Sequence, residues 1–276
     1  MSKVDFHMHS IYSDGSDSVD ELLENIKQAG LKTFALTDHD TFDGCIEMSE
    51  KVSGDIKFIK GIELTCTLQG IKCHLLGYYI DLSCQELKNL IEKGKKLRRQ
   101  KLDTRIDYLK NVWKIALTDD EKEWLYSRKS VVKTHLANIL VKRGFADTNV
   151  NAMKKYLDAC KTGNTRFDGE EAIAVLKNAG ALIVWAHPLG GEGEVHISGK
   201  EFTEQLEVMK NHGVQGLECY YSRYNRQECE FLYGQAVKNN MYVSGGSDYH
   251  GSNKENIKIG QLNTENFDVD TDKFNI

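Results

Sequence analysis

Histidines and carboxylates recur at positions where predicted strands end. His7 and His9 alternate with Phe6 and Met8, so on a strand both imidazoles point to one face, about 6.6 Å apart along it. Such a pair at a strand end can chelate one divalent cation, although a structural role fits the pair alone equally well. The same kind of position is occupied by Asp14, Asp38, His39, Asp40, Glu63, His74, His187, Asp248 and His250.

These side chains converge on one mouth if the strands form one barrel. Carboxylates gathered there repel one another unless cations neutralise them. A mixed set of nitrogen and oxygen donors suits Zn, Mn or Fe better than Ca, which takes oxygen ligands alone. We therefore predict that several divalent metal ions are needed to neutralise this mouth.

A helix followed by a strand is the unit that positions these residues. Ser18 and Glu21 form a capping-box pattern at a helix start, and Gly30 is a typical helix stop. Short apolar strands that alternate with helices indicate βαβ units, and α/β barrels carry their chemistry where the strands end. The predicted strands are 4–9, 33–36, 58–63, 181–186, 214–217 and 242–244, with a hairpin over 64–79 that carries His74.

The stretch 82–165 interrupts this rhythm. Apolar residues from Leu87 to Trp113 recur at helical spacing, and shorter helical patterns follow at 119–127, 133–143 and 149–157. The sequence therefore predicts a barrel domain made of 1–81 and 166–276, with a helical insertion domain at 82–165.

Composition excludes several classes of protein. The chain has 276 residues and a formal net charge of −5, whereas a protein that coats nucleic acid is basic over most of its surface. No apolar run reaches the roughly 18 residues of a membrane span. Seven cysteines without a CxxC pair are typical of reduced thiols. We therefore expect a cytoplasmic protein without membrane contact, and no protein partner is evident.

Six short motifs resemble, in this order, those of the PHP family, which is named for polymerases and histidinol phosphatases. They are His7-Met8-His9, Thr37-Asp38-His39-Asp40, Gly61-Ile62-Glu63, His74-Leu75-Leu76-Gly77, His187-Pro188 and Ser247-Asp248-Tyr249-His250. The resemblance implies an α/β fold, a distorted (β/α)7 TIM-like barrel, with a trinuclear metal site. The implied ligands are His7, His9, Glu63 and Asp248 for one metal, Glu63, His74 and His187 for a second, and Asp14, His39 and His250 for a third.

Clustered divalent metals suit the hydrolysis of phosphate esters. They lower the pKa of bound water from 15.7 to about 7 and bind phosphoryl oxygens. Our hypothesis is that a hydroxide bridging the two metals that share Glu63 attacks phosphorus. Asp38 and Asp40 are better candidates for orienting His39 or a water than for direct ligation.

Substrate contacts are expected from residues outside the cluster. Arg223, with Ser222 and Arg226 beside it, follows a predicted strand and could bind phosphate, or could instead pair with a neighbouring helix. Lys133 and His135 could cap the site from the insertion, where a structural role fits them at least as well. The basic run 94–101 is interpreted as a solvated helix face, and 190–194 as a mobile loop beside the mouth.

The leading functional hypothesis is a phosphomonoesterase that removes the 3′-phosphate of a nucleoside 3′,5′-bisphosphate. Lys133-Thr134-His135-Leu136-Ala137 resembles the branch of small stand-alone phosphoesterases of the PHP family. The alternatives are a 5′-to-3′ exonuclease on short RNA, a histidinol-phosphate phosphatase and a non-catalytic metal-binding regulatory module. A pocket closed by the insertion favours the mononucleotide, whereas a channel lined by the basic helix favours the oligonucleotide.

Overall fold

Eight strands and nine α-helices form the part of the chain that the computed structural model describes, residues 2–163, 166–191, 195–197 and 199–276. The strands are β1 Val4–Asp5, β2 Thr33–Leu36, β3 Lys57–Leu68, β4 Ile71–Tyr78, β5 Phe167–Asp168, β6 Leu182–Trp185, β7 Gly216–Tyr221 and β8 Tyr242–Gly246. The helices are α1 Val19–Ala29, α2 Asp43–Lys51, α3 Gln85–Val112, α4 Asp119–Ser127, α5 Lys133–Lys142, α6 Asn149–Ala152, α7 Gly169–Asn178, α8 Gly199–His212 and α9 Arg226–Lys238.

Seven of the strands form a nearly closed barrel in the order β1-β2-β3-β4-β6-β7-β8. The ends of this row approach each other where the Phe6 backbone N–H donates to the Gly245 carbonyl at 3.1 Å. Strand β4 runs antiparallel to both β3 and β6, which distorts the barrel from a fully parallel one. The predicted distorted TIM-like barrel is confirmed, as is the hairpin that carries His74.

Strand β1 is shorter than the predicted strand over 4–9. The Asp5 carboxylate accepts hydrogen bonds from the backbone N–H groups of His7 (3.2 Å), Ser247 (2.9 Å) and Gly260 (2.8 Å). These bonds replace the regular ladder beyond Asp5, and Met8 forms only an isolated bridge with Tyr249. The chain nevertheless stays extended enough for His7 and His9 to reach the same site.

Helix α1 begins and ends at the residues that the sequence marks. The Ser18 side chain accepts from the Glu21 backbone, the Glu21 side chain accepts from the Ser18 backbone, and Gly30 adopts a left-handed conformation with φ 72°. The apolar face of the helix packs into the barrel core. The capping residues and the packed apolar face therefore define the same helix. The chain then enters β2 after Gly30.

Helix α3 belongs to two hydrophobic cores. Leu87, Leu90 and Ile91 in its first turns pack with the barrel, whereas Leu102 and Ile106 pack in a second cluster with α4, α5 and α6. The predicted helical content of the insertion is thus present. Its boundaries remain a prediction, and residues 164–165 lie outside the described residues. Among the described helices, none combines the length and the apolarity that crossing a bilayer requires.

Candidate metal centre

Glu63 lies at the centre of a buried cluster of imidazoles. Strand β3 carries it into the barrel mouth, where its side chain is about 1% exposed. Five ring nitrogens lie within 3.3 Å of its two carboxylate oxygens, and they belong to His7 (3.2 Å), His9 (3.3 Å), His39 (2.9 Å), His74 (2.9 Å) and His187 (3.2 Å). Residues from β1, β2, β3, β4 and β6 or their ends therefore meet at one carboxylate.

Asp248 and Asp14 extend this cluster. Asp248 Oδ1 lies 3.3 Å from His9 Nε2 and 3.7 Å from His7 Nε2. Asp14 Oδ1 lies 3.1 Å from His250 Nε2 and 3.9 Å from His39 Nε2. The structure thus brings all nine predicted metal ligands together.

The inward-facing atoms of the cluster have unused bonding capacity. Six buried atoms of the cluster form no hydrogen bond with any residue that the structure describes, and they are His7 Nε2, His9 Nε2, His39 Nδ1, His74 Nδ1, Asp14 Oδ1 and Glu63 Oε2. Buried polar atoms are normally hydrogen-bonded, because an unpaired one costs free energy. Imidazole nitrogens and carboxylate oxygens directed at a shared space fit divalent metal ions with mixed ligands.

Three groups of donors within the cluster have ligand atoms within 4.8 Å of one another. They are His7 with His9 and Glu63, His39 with Glu63 and His74, and His9 with Asp14, His39 and His250. Glu63 takes part in two of the groups, as expected for a bridging ligand. His187 and Asp248 lie next to these groups but belong to none of them. His39, and not the predicted His187, groups with Glu63 and His74. The assignment of ligands to individual metals therefore remains a prediction.

Charge is balanced within the cluster by the mutual proximity of acids and imidazoles. Burial opposes ionisation of Glu63, but His39, His7 and His74 hold the pKa of its carboxyl well below its usual range. Burial likewise opposes protonation of His7, yet the Glu218 and Glu63 carboxylates raise its pKa well above the ordinary value. Metal ions bind deprotonated ligands, so a metal ion at this site would replace the proton that the raised pKa of His7 favours.

Backbone strain occurs after three of the strands that carry the cluster. Asp40, His187 and Asp248 have φ values of 51°, 31° and 58°, which non-glycine residues rarely adopt. Each residue follows shortly after a strand, β2, β6 or β8. Such strain persists where the surrounding structure fixes it, and it is common at functional sites.

Glu218, directly after the predicted strand 214–217, is a candidate functional residue that the sequence analysis did not single out. Its Oε1 lies 2.9 Å from His7 Nδ1, and its Oε2 accepts a hydrogen bond from the His187 backbone N–H at 2.7 Å. A carboxylate behind an imidazole fixes the ring orientation and increases its basicity. Tyr221 acts on Asp248 in a comparable way, because its hydroxyl donates to Asp248 Oδ2 at 2.8 Å.

Asp38 and Asp40 bond to groups other than His39 in the described structure. Asp38 accepts from the Ser10 backbone N–H (2.8 Å) and from the Ser10 and Ser13 hydroxyls (2.7 and 2.6 Å), so it orders the loop that carries Asp14. Asp40 accepts from the Thr65 backbone N–H at 2.8 Å and pairs with Arg98 of α3. Their predicted role in orienting His39 or a water remains a prediction.

The predicted substrate contacts near β7 differ in exposure. Ser222 is buried, and its hydroxyl oxygen forms no hydrogen bond within the described structure. Arg223 is exposed just beyond β7. The Arg226 guanidinium lies 4.2 Å from the centre of the Phe267 ring, at the first turn of α9.

The two predicted contacts in the insertion have structural partners. Lys133 pairs with Asp158 at 2.6 Å. His135 is buried, and its Nδ1 accepts a hydrogen bond from the Val132 backbone N–H at 3.1 Å. Burial lowers the pKa of His135 to about 4. Of the predicted mobile loop over 190–194, residues 192–194 lie outside the described residues.

A basic cavity of about 490 Å³ opens between α3 and the segment that joins α4 to α5. Six cationic residues line it, namely Lys95, Lys96, Arg98, Arg99, Arg128 and Lys129. Two of them contact the loops that carry the predicted metal ligands Asp14 and His39. Arg98 pairs with Asp40, and the Arg128 guanidinium donates to the Ile11 carbonyl. Through these two residues the cavity contacts the loops that follow β1 and β2.

Known proteins resemble this chain over most of its length. It is 28% identical over 253 residues to a 5′-3′ exoribonuclease of Haemophilus influenzae, covering 90% of each chain. It is 24% identical to a 3′,5′-nucleoside bisphosphate phosphatase of Chromobacterium violaceum, covering 94% of this chain and 91% of the relative. A crystal structure from C. violaceum, described as an amidohydrolase with bound sulfate and no metal, shares the fold with a TM-score of 0.82 at 24% identity, over 94% of this chain and 90% of that one.

The family comparison covers more than half of the chain. The sequence pattern of the PHP domain matches residues 5–168, which include His7, His39, Glu63 and His74. Four of the six motifs lie within the matched residues, and the structure brings the histidines and acids of the other two into the same cluster. The chain therefore belongs to the PHP domain family.

Proposed function

We propose that this protein hydrolyses the 3′-phosphate ester of a nucleoside 3′,5′-bisphosphate. The chain is a metal-dependent phosphoesterase, and the proposal adds its substrate. The observation that carries the proposal is the buried cluster around Glu63, with six donor atoms that lack hydrogen bonds to the described residues, beside a basic cavity. A substrate with two phosphates matches the acidic cluster and the cations of α3 beside it, because one phosphate would face the metals and the other would face cations of this helix.

Two to three divalent ions, Mn, Zn or Fe, would be held by the nine clustered residues. Bound there, they would lower the pKa of water to about 7 and neutralise phosphoryl oxygens. The protein's own residues set the geometry of this centre. Glu218 orients His7, Tyr221 orients Asp248, and Asp38 fixes the loop that carries Asp14.

The relatives support a nucleotide as the substrate. The C. violaceum relative is named for nucleoside bisphosphates, and the H. influenzae relative is named for RNA. Both kinds of substrate present phosphate esters of ribose next to a further phosphate. A site that binds one phosphate and cleaves the ester of another would serve either of them.

A 5′-to-3′ exonuclease on short RNA is the second candidate, and the basic cavity favours it. The cavity is lined by α3 residues from the basic run 94–101, together with Arg128 and Lys129. That run was interpreted from sequence as a solvated face, whereas here part of it lines a cavity beside the metal centre. Cations along a groove bind successive backbone phosphates of a single strand.

A panel of phosphate esters tests these candidates. The protein with Mn added would be compared on adenosine 3′,5′-bisphosphate, histidinol phosphate and a 5′-phosphorylated trinucleotide. We expect the fastest release of inorganic phosphate from the bisphosphate. Faster release of mononucleotide from the trinucleotide would favour the exonuclease, and a preference for histidinol phosphate would refute both nucleotide proposals. A chain that binds metal but hydrolyses none of the three would contradict the proposal and favour a regulatory module.

A further inference from the structure

A row of cations lies on one face of α3, near the metal centre. Arg98, Lys101 and Arg105 follow one another at helical spacing, so their side chains lie on the same face. Gly94, one turn earlier on this face, lies so close to the Phe167 ring that a larger residue would collide with it. The face is therefore directed at β5 and at Arg166, which precedes it.

The row adjoins a metal ligand. The Arg98 guanidinium contacts Asp40 and lies 3.3 Å from the Thr65 hydroxyl. Thr65 pairs with His74 across the β3–β4 hairpin. The Arg166 guanidinium donates to the carbonyls of Cys66 and Cys73, both at 3.3 Å, on the same hairpin. Arg98 and Arg166 thus both contact the hairpin that carries His74.

The described acids balance only part of the charge of this row, and Asp158 is the acid that favours the charged form of Arg105. Arg98 is neutralised by Asp40, but Lys101 has no acidic partner within ion-pair distance among the described residues. Arg105 Nε is buried and forms no hydrogen bond within the same residues. Burial and the nearby guanidinium charges of Arg105 and Arg98 lower the pKa of Lys101 to about 7.

Such an arrangement destabilises the protein unless an anion binds. Partly buried cations that face one another lose hydration and repel, and an opposite charge reverses both effects. A phosphate dianion matches the row, because guanidinium groups bind its oxygens in pairs and an ammonium adds a compact positive charge.

We propose that Lys101 and Arg105 form an anion subsite that binds the phosphate of the substrate that is not hydrolysed. This inference rests on the proposed function and deepens it. Two sources share the required chemistry, the 5′-phosphate of a nucleoside 3′,5′-bisphosphate and the 5′-phosphate at an RNA end. In either case the subsite would select substrates whose 5′-phosphate and hydrolysed ester are separated by the distance between the subsite and the metal centre.

Paired substrates test the subsite. The kcat/KM of wild type, Lys101→Gln and Arg105→Gln would be compared on adenosine 3′,5′-bisphosphate and adenosine 3′-monophosphate. We expect each variant to lose at least about 10-fold on the bisphosphate, the effect of one charge-assisted hydrogen bond, and little on the monophosphate. Lys101→Arg should retain the preference for the bisphosphate. Lys110→Gln, at an exposed position of the same helix, is the matched control. A trinucleotide with a 5′-phosphate or a 5′-hydroxyl distinguishes an RNA end from a mononucleotide.

Thermal unfolding without ligand separates binding from a structural role. Because the described neighbours of Lys101 are mostly cations, Lys101→Gln should leave Tm unchanged or raise it. A lower Tm, or equal losses on both adenosine substrates, would overturn the subsite. If wild type hydrolysed neither adenosine substrate, the proposed function would fail by itself. Calorimetry with adenosine 5′-monophosphate and adenosine would still test the subsite, which requires that Lys101→Gln weaken binding of the monophosphate alone.

Discussion

At the mouth of the barrel, buried carboxylates face imidazoles, whereas on one face of α3 cations face other cations. Glu63 has five ring nitrogens within 3.3 Å, and Lys101 has no acidic partner among the described residues. The first region gathers donors that bind positive metal ions. The second gathers charges that bind negative groups.

The barrel strands thus carry the predicted metal ligands, whereas α3 carries the cations that we propose bind phosphate. The donors of the mouth lie on strands and strained strand ends, so the barrel fixes them rigidly. The cations of the second region lie mainly on a helix that is inserted between two halves of the barrel sequence. On our proposal of an anion subsite, changing Lys101 or Arg105 would therefore alter substrate preference without changing the predicted metal ligands.

Removing the central charge of the mouth should have the largest effect. Glu63→Gln takes away the one carboxylate that contacts five histidines, so we expect turnover to fall to background and the bound metal to decrease. Phosphate release and metal content by elemental analysis measure the two effects. Glu24→Gln, on the exposed face of α1, should behave as wild type. Retention of most activity by Glu63→Gln would refute the ligand set.

Neutralising the carboxylate behind His7 should have a smaller effect. Glu218→Gln keeps the shape of the side chain but removes the charge that orients the imidazole, so we expect metal affinity or activity to fall by about 10- to 100-fold. Titration of metal-free protein with Mn by calorimetry measures the affinity. An unchanged affinity together with unchanged turnover would show that Glu218 serves packing alone.

The Asp40–Arg98 pair joins the two regions, and its loss should affect stability. Both side chains are largely buried, at 5% and 11% exposure. Asp40→Asn or Arg98→Met each leaves one charge unpaired, and we expect each to lower the free energy of unfolding by about 3 kcal/mol. Urea unfolding of both single variants and the double variant measures the coupling. If the two losses simply add, the pair does not couple the regions.

His135 should have the smallest effect, which appears only at acidic pH. Its pKa is about 4 in the folded state because it is buried, against about 6.5 when unfolded. Between these two pKa values the unfolded chain therefore binds more protons than the folded chain does. The contribution of His135 to the free energy of unfolding is complete above pH 6.5. It is lost as the pH falls towards 4, by on the order of 2 kcal/mol at pH 5. In urea unfolding at pH 7 and pH 5, His135→Gln should lose less stability than wild type. An equal loss would contradict this prediction.

The sequence predicted the elements that local signals define. Helix α1 begins after Ser18 and ends before Gly30, as its capping residues indicate. The position of histidines and acids at strand ends also identified the cluster, because parallel strands of a barrel end on the same side. These predictions needed no knowledge of which distant segments pair.

Long-range contacts explain what the sequence could not predict. Strand β1 ends early because Asp5 bonds to Ser247 and Gly260, which are distant in the chain. Glu218 acquires its role only because β7 lies beside β6 and near His7. Lys101 looks like an ordinary residue of a basic helix until Arg166 is brought next to it by β5. Pairing of this kind depends on the assembled barrel, and no local pattern encodes it.

The continuity of α3 limits how this protein can be trimmed. Its first turns contribute Leu87, Leu90 and Ile91 to the barrel core, and its later turns contribute Leu102 and Ile106 to the other core. Joining residue 81 directly to residue 166 would delete barrel side chains and uncover the surface beneath them. A minimal barrel for engineering must therefore retain the amino-terminal third of this helix and be closed by a new connection after it.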